Sequence, residues 1–214
     1  MHRLLILLAC ACLLAAGDAV PGEIQVGNLV YAKTKSSKCF SEAFMTTVAK
    51  RTAIPVARRY TTVHSGKPDE LARVGFAIMT GEGSFTMTAG EREALRDWMD
   101  RGGFLLASAS CSSPEWAASF RAEAERIYGA RSLVELDAAH PVFSTLHDLT
   151  SLPTKKSGDA RFYGIIRDGR LACLFSPEGL NDTANVAGCC CCGGNEVKDA
   201  QAMVANAFVY ALVE

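Results

Sequence analysis

Residues 74–109 read VGFAIMTGEGSFTMTAGEREALRDWMDRGGFLLASA, and the fold class turns on them. Val74 to Thr80 is a continuous apolar run that breaks at Gly81-Glu82-Gly83, as a buried parallel strand does on leaving its sheet. Thr88 to Arg101 then takes a helical period. Leu95, Trp98 and Met99 form one apolar stripe, Thr88 can cap the first turn with Glu91 as its capping-box partner, and Gly102-Gly103 stops the helix. Phe104 to Ala109 follows at once as a second wholly apolar run. Two buried strands joined by one amphipathic helix form a right-handed crossover, so the runs are expected side by side as parallel central strands.

Outward from this unit the same alternation extends from Glu23 to the end, with no internal repeat or low-complexity segment. Ile24 to Ala32 (IQVGNLVYA) reads as a strand, and Ile54 to Val63 as a weaker one. Ser41 to Lys50 reads as a helix, with Phe44, Met45 and Val48 spaced to share one face. After Ala109, Ser112 or Ser113 caps a helix that holds Pro114 in its first turn and runs to about Tyr128. Leu133 to Leu136 reads as a strand ending near His140-Pro141. Phe162 to Ile166 and Leu171 to Phe175 flank Arg167-Asp168-Gly169-Arg170, where Asp-Gly between apolar runs predicts a hairpin. Asp199 to Val213 closes the chain as a helix, with Met203, Ala207 and Tyr210 expected against the sheet. The order predicts a three-layer α/β fold: a mostly parallel sheet covered by helices on both faces, with a C-terminal hairpin and helix.

At 214 residues the chain has room for one ordinary domain and a short appendage. Apolar residues make up 49% and charged residues 21%, enough to fill a core. With 22 basic against 23 acidic side chains there is no basic field to hold a phosphate backbone, which excludes nucleic acid as the expected partner. Aromatic residues, at 8%, form no stacking ladder for sugars or bases. Met1-His2-Arg3, the apolar run Leu4 to Ala16 and the small-residue exit Gly17-Asp18-Ala19 have the form of a secretory signal peptide. The run is shorter than the roughly 20 residues that cross a bilayer. The expectation is therefore cleavage after Ala19 and an exported domain, periplasmic or extracellular, over residues 20–214. Lipidation at Cys10 or Cys12 is the alternative, tethering the rest to a membrane surface. No transmembrane segment is expected after the signal.

Loss of Cys10 and Cys12 with the leader leaves seven of the nine cysteines: Cys39, Cys111, Cys173 and Cys189, Cys190, Cys191 and Cys192. An odd number in an oxidising compartment allows at most three internal disulfides and leaves at least one sulfur over. In extended backbone Cys189 and Cys191 face one way and Cys190 and Cys192 the other, so the four do not reach one ion unaided. Cys189 and Cys192 have the spacing of a zinc or redox pair, and Gly193-Gly194 let the loop fold back. A second pair of metal ligands would come from distant residues such as Cys111, Cys173 or His140. In a secreted chain disulfides to Cys39, Cys111 or Cys173 rank ahead of metal; cytoplasmic retention would reverse that order.

Several segments, in order, carry a family resemblance: Phe76-Ala77-Ile78-Met79-Thr80-Gly81, Phe85, Glu91, Leu95-Arg96 and Gly102-Gly103-Phe104-Leu105; then Ser119-Phe120-Arg121 with Glu123, His140-Pro141-Val142-Phe143, Tyr163-Gly164-Ile165, Gly169-Arg170-Leu171 and Asn206 to Leu212. From about Val26 to its end the chain resembles an uncharacterised bacterial domain-of-unknown-function family with the class I glutamine amidotransferase-like fold, related to the trehalose-utilisation (ThuA-like) proteins. The resemblance implies a three-layer, flavodoxin-like architecture and export. It supplies no reaction.

Class I amidotransferases place a nucleophilic cysteine on a tight strand-to-helix elbow flanked by glycines, and the resemblance puts Cys111 at that place. Cys111 follows the Phe104 to Ala109 strand and precedes a helix N-terminus, where the dipole favours a thiolate. Its neighbours are Ser110, Ser112 and Ser113, with no glycine. Phe175-Ser176-Pro177-Glu178 is similar to the His-Pro-Glu of the amidotransferases but has serine for the histidine, so the standard base is missing. His140 is the remaining candidate base. The plainer alternative makes Cys111 a small buried or disulfide-bonded residue and His140 a packing residue before proline. Gly81-Glu82-Gly83 stands where open α/β sheets place ligands, and Glu82, Asp182 after Asn181 and the serines beside Cys111 are candidates for the same rim. His64, His147 and Asp148 read as solvated or turn residues. The leading functional expectation is an exported, non-catalytic binding or interaction module whose partner is a small molecule or a protein. The alternatives are a thiol- or metal-dependent hydrolase using Cys111 and the cysteine-rich loop, and a purely structural disulfide-stabilised domain. No motif names a cofactor.

Overall fold

The computed structural model describes residues 22–189 and 194–214. The signal-peptide reading and Cys190, Cys191 and Cys192 lie outside them. Among the described residues seven strands, β1 (Ile24–Val30), β2 (Val56–His64), β3 (Phe76–Gly81), β4 (Phe104–Ala109), β5 (Val134–Glu135), β6 (Tyr163–Arg167) and β7 (Arg170–Ser176), form one sheet in the order β2-β1-β3-β4-β7-β6-β5. The first five in that order run parallel, while β6 is antiparallel to both its neighbours. The helices are α1 (Ala43–Arg51), α2 (Pro68–Leu71), α3 (Ala89–Asp100), α4 (Pro114–Tyr128) and α5 (Ala200–Val213).

β3 and β4 are apolar along most of their length, up to Thr80 and Ser108 near their ends, because both faces of the central sheet are covered. They pair in register from Phe76 against Phe104 to Gly81 against Ala109, with α3 as the connection between them. Phe76, Ile78, Phe104 and Leu106 pack with Phe44 and Val48 of α1 and Met203 and Phe208 of α5. Ala77, Met79, Leu105 and Ala107 point the other way, into a cluster with Leu95 and Trp98 of α3 and Trp116 and Phe120 of α4. Phe76 and Phe104 stack with ring centroids 5.4 Å apart, and Phe208 meets Phe76 edge-on at 5.3 Å. Burying such rings stabilises by roughly 1.5–3 kcal/mol each, before any geometric preference.

The expected caps form. Thr88 Oγ1 accepts from the Glu91 N–H at 3.2 Å, and the Glu91 carboxylate accepts from the Thr88 N–H at 2.7 Å. Ser113, not Ser112, caps α4, accepting from the Trp116 N–H with Pro114 in the first turn. The apolar helix α5 lacks a strong stripe because α1 and the turn Pro141–Phe143 also pack around it. Its one fully buried amide, Asn206, accepts from the N–H groups of Leu146 and His147 and donates to the His147 carbonyl. The four-residue strand expected at Leu133 to Leu136 is reduced to Val134–Glu135, since Leu133 and Leu136 turn to pack against the two cores.

Because α1 covers one face of the sheet and α3 the other, the connections leaving β1 and β3 diverge. That is a topological switch point, and it opens a crevice outside the carboxyl ends of the strands.

Candidate functional site

The crevice is built by tying the exit of β1 to the end of β3. The Asn28 side chain donates to the Ser37 carbonyl at 2.8 Å and accepts from its N–H at 3.2 Å. Ser37 Oγ then accepts from the Thr80 N–H at 2.9 Å, and Tyr31 Oη donates to the Thr80 carbonyl at 2.9 Å. The same Tyr31 oxygen accepts from Trp116 Nε1 of α4 at 2.6 Å. Gly81 must lack a side chain here, since a Cβ would come 2.3 Å from Tyr31 Oη and 2.8 Å from Trp116 Nε1. Burial pushes the Tyr31 phenol up to about 12, with the Trp116 hydrogen bond opposing it, so the hydroxyl keeps its proton. On the outer rim Lys35 Nζ donates to the Glu82 carbonyl at 2.8 Å, and the Gly83 N–H donates to Ser113 Oγ at 3.1 Å.

At one level across the sheet the apolar text gives way to hydroxyls: Thr80, Ser108 and Ser176 are register partners on β3, β4 and β7, all fully buried. Ser108 Oγ accepts from the Leu180 N–H at 2.9 Å and donates to the Glu178 carbonyl at 3.2 Å, holding the exit of β7 over β4. Beyond that level β4 enters the turn Ser110–Ser112, where Cys111 takes φ 51° and ψ 23° and Ser112 takes φ 52°. Two successive left-handed non-glycine residues cost on the order of 1–3 kcal/mol each and persist only where the surroundings fix them. Here the Asn181 amide donates to Ser110 Oγ at 3.1 Å, the Asn195 N–H donates to Ser112 Oγ at 2.9 Å, and Gly194 lies directly on the Cys111 backbone. Glu196, 1% exposed, anchors that last segment by pairing with Lys155 and accepting from Thr183 Oγ1.

The outcome is a cleft of about 320 Å³ whose walls include Lys38, Cys39, Glu82, Cys111, Asn181 and Cys189. Cys39 and Cys189 are joined by a disulfide that links the β1 exit to the β7 exit across 150 residues. A disulfide sulfur is not a thiolate, so this bond occupies the sulfur that Cys189 would offer a metal. Among the described residues no group of three or more His, Cys, Asp or Glu side chains is placed to hold an ion.

Of the residues singled out in the sequence, Cys111, Glu82 and Cys189 therefore come together, and Asn181 joins them. His140 does not. Its Nδ1 accepts from the Val142 N–H, and its ring lies 5.6 Å from that of Tyr210. Tyr210 in turn packs on Phe104, the first residue of β4, whereas Cys111 lies beyond the last. The six residues of β4 span roughly 20 Å, so His140 packs toward the start of that strand while Cys111 lies past its end. Burial lowers the His140 pKa, with the Glu214 carboxylate opposing it. His64 is paired with Glu70 at 2.7 Å, and His147 faces Arg51 at 3.1 Å. Cys173 is buried in the core, where desolvation pushes its thiol far above the ordinary range.

Sequence reasoning missed Lys38 and Thr183 as wall residues, along with the Tyr31–Trp116 pair. Gly194 had a visible signal, a glycine directly after the cysteine run, but its contact with Cys111 is a tertiary fact.

Fold and cleft together define an open, doubly wound α/β domain with its polar groups gathered at the β1/β3 switch point. The chain belongs to the DUF4159 family, a domain of unknown function whose profile matches residues 27–212. No curated protein matches the chain.

Proposed function

We propose that this protein is an exported binding module on a scaffold related to the class I glutamine amidotransferases and the trehalose-utilisation proteins, and that a small polar molecule binds in the switch-point cleft. The observation that carries this reading is the convergence of four chain connections on one cleft of about 320 Å³, a volume suited to a small ligand. Lys38 and Glu82 set opposite charges in its walls, and Asn181 and Thr183 add hydrogen-bonding groups. Binding is favoured over hydrolysis because His64, His140 and His147 are each engaged elsewhere and none of them lines the cleft.

A second reading, a thiol-dependent hydrolase, is favoured by one feature: Cys111 sits in a left-handed elbow between β4 and the 15-residue helix α4. That is the local geometry of an elbow nucleophile just ahead of a helix N-terminus.

The test is a thermal-shift screen of small polar metabolites against the mature chain and two cleft variants, Ser36→Trp and Lys38→Glu. Ligands that raise the melting temperature of the parent and lose that effect in both variants support the cleft. Equal shifts in all three proteins contradict it. Ester or amide hydrolysis abolished by Cys111→Ser would transfer the assignment to the second reading. Export is checked by the mass of protein recovered outside the cytoplasm: a chain beginning near Val20 is expected, and an intact Met1 or a lipid on Cys10 or Cys12 contradicts simple cleavage.

A further inference from the structure

The Cys39–Cys189 disulfide differs from a buried staple in three ways. Both cysteines are partly exposed, and both line the cleft rather than either hydrophobic core. The segment ahead of Cys189 lies at the surface: Ala187 and Gly188 are exposed, and the Cys189 N–H donates to the Val186 carbonyl three residues back at 3.2 Å. Lys38, next to Cys39 in the chain, lines the same cleft and so puts a cationic side chain in the wall that holds the sulfur that would leave. A thiolate is a better leaving group where positive charge stabilises it. The two cores, meanwhile, are continuous without the bond, since neither contains Cys39 or Cys189.

We propose that Cys39–Cys189 is a thiol-exchange site, open to small thiols of the glutathione class while the protein remains folded. An external thiolate attacks Cys189 Sγ in line with the S–S bond. A mixed disulfide forms on Cys189, and Cys39 leaves as a thiolate beside Lys38. A second external thiolate then attacks the outer sulfur of the mixed disulfide and releases Cys189 as a thiolate. Two external thiols are thereby oxidised to one external disulfide, the protein pair gains the two electrons, and the thiolates take up protons from solvent. Run backwards, a small disulfide reoxidises the pair. The site does not depend on ligand binding in the cleft, so its test stands apart from that of the preceding reading.

The experiment uses the mature chain with millimolar reduced glutathione, quenched by an alkylating agent at intervals. The tryptic peptide from Cys39 to Lys50 holds a single cysteine and reports the bond directly. Untreated protein is expected to leave this peptide unlabelled. With glutathione it should become labelled while the far-ultraviolet circular dichroism stays unchanged, at a rate that rises with pH as more glutathione ionises. Labelling that begins only in denaturant overturns the proposal, as does loss of folded structure in step with reduction. A Cys39 that is already alkylated before treatment overturns it too. The double variant Cys39→Ser, Cys189→Ser should fold with the parent spectrum; failure to fold would make the bond a staple and would also refute exchange.

Discussion

Gly194 lies against the backbone of Cys111 so closely that a Cβ on it would stand 2.5 Å from the Cys111 carbonyl carbon and 2.6 Å from its Cα. The absence of side chain that an elbow needs is supplied here by a residue 83 positions away along the chain, not by a sequence neighbour. Gly194→Ala should therefore force the elbow or the 194–196 segment to move, at a cost of about 1–3 kcal/mol. For a chain of this size that corresponds to a fall in melting temperature of very roughly 2–12 °C, read by calorimetry. An unchanged melting temperature would mean that the two segments are not packed in this way.

The left-handed backbone at Cys111 gives a sharper comparison. Cys111→Gly and Cys111→Ala both remove the sulfur, so their difference reports the backbone alone. At φ 51° glycine is expected to be the more stable by about 1 kcal/mol. Urea unfolding of the two variants measures it, and alanine equal to or better than glycine would place Cys111 outside the left-handed region.

Two histidines make the stability pH-dependent. His140 titrates below its ordinary value because burial disfavours the cation, with Glu214 opposing; His147 does so through burial and the facing Arg51 guanidinium. A folded value below the unfolded one means that the unfolded chain binds more protons, so stability rises with pH across this window. It is fully present above the unfolded value of about 6.5 and is lost as the pH falls through that value toward the folded one. The urea midpoint is expected to drop between about pH 7.5 and about pH 5.5, and the double variant His140→Gln, His147→Gln should flatten that drop. A midpoint that rises on acidification in this range would reverse the sign argued here.

The fold was legible in the sequence wherever period and punctuation agreed. The two apolar runs around Gly81 and Gly102-Gly103, the Thr88 and Glu91 caps, and Asp168-Gly169 between β6 and β7 each encode a local structure, and each stands where expected. The short helix Pro68–Leu71 was not legible, because one turn shows no period, and neither was the shortening of β5 at an edge. The site was half legible. Topology alone brings Glu82, Cys111 and Cys189 to the carboxyl ends of the strands. Cys39 was one of three disulfide partners that the sequence offered the loop; the choice of Cys39, the Gly194 contact and the place of His140 near the start of β4 depend on how connections pack across the molecule, which no local pattern records.

The central pair Phe76 and Phe104 should dominate the energetics of the sheet. Phe76→Ala removes a ring that stacks on Phe104 and meets Phe208 and is fully buried, so a loss of about 3–5 kcal/mol is expected. Val213→Ala, at an exposed position near the end of α5, should cost under about 0.5 kcal/mol. Chemical denaturation of both variants checks the contrast, and similar losses at the two sites would contradict the layered core.

The most direct measurement is an amide NMR titration of the isotope-labelled chain over residues 20–214 with the polar molecules that pass the thermal-shift screen. Shifts are expected to gather on the cleft walls, at Ser36, Lys38 and Cys39 on one side and Asn181, Thr183 and Gly188 on the other. Shifts gathered instead in the hollow between Leu136, Phe143 and Phe162, or a spectrum that no small polar molecule perturbs, would contradict the switch-point cleft as the binding site.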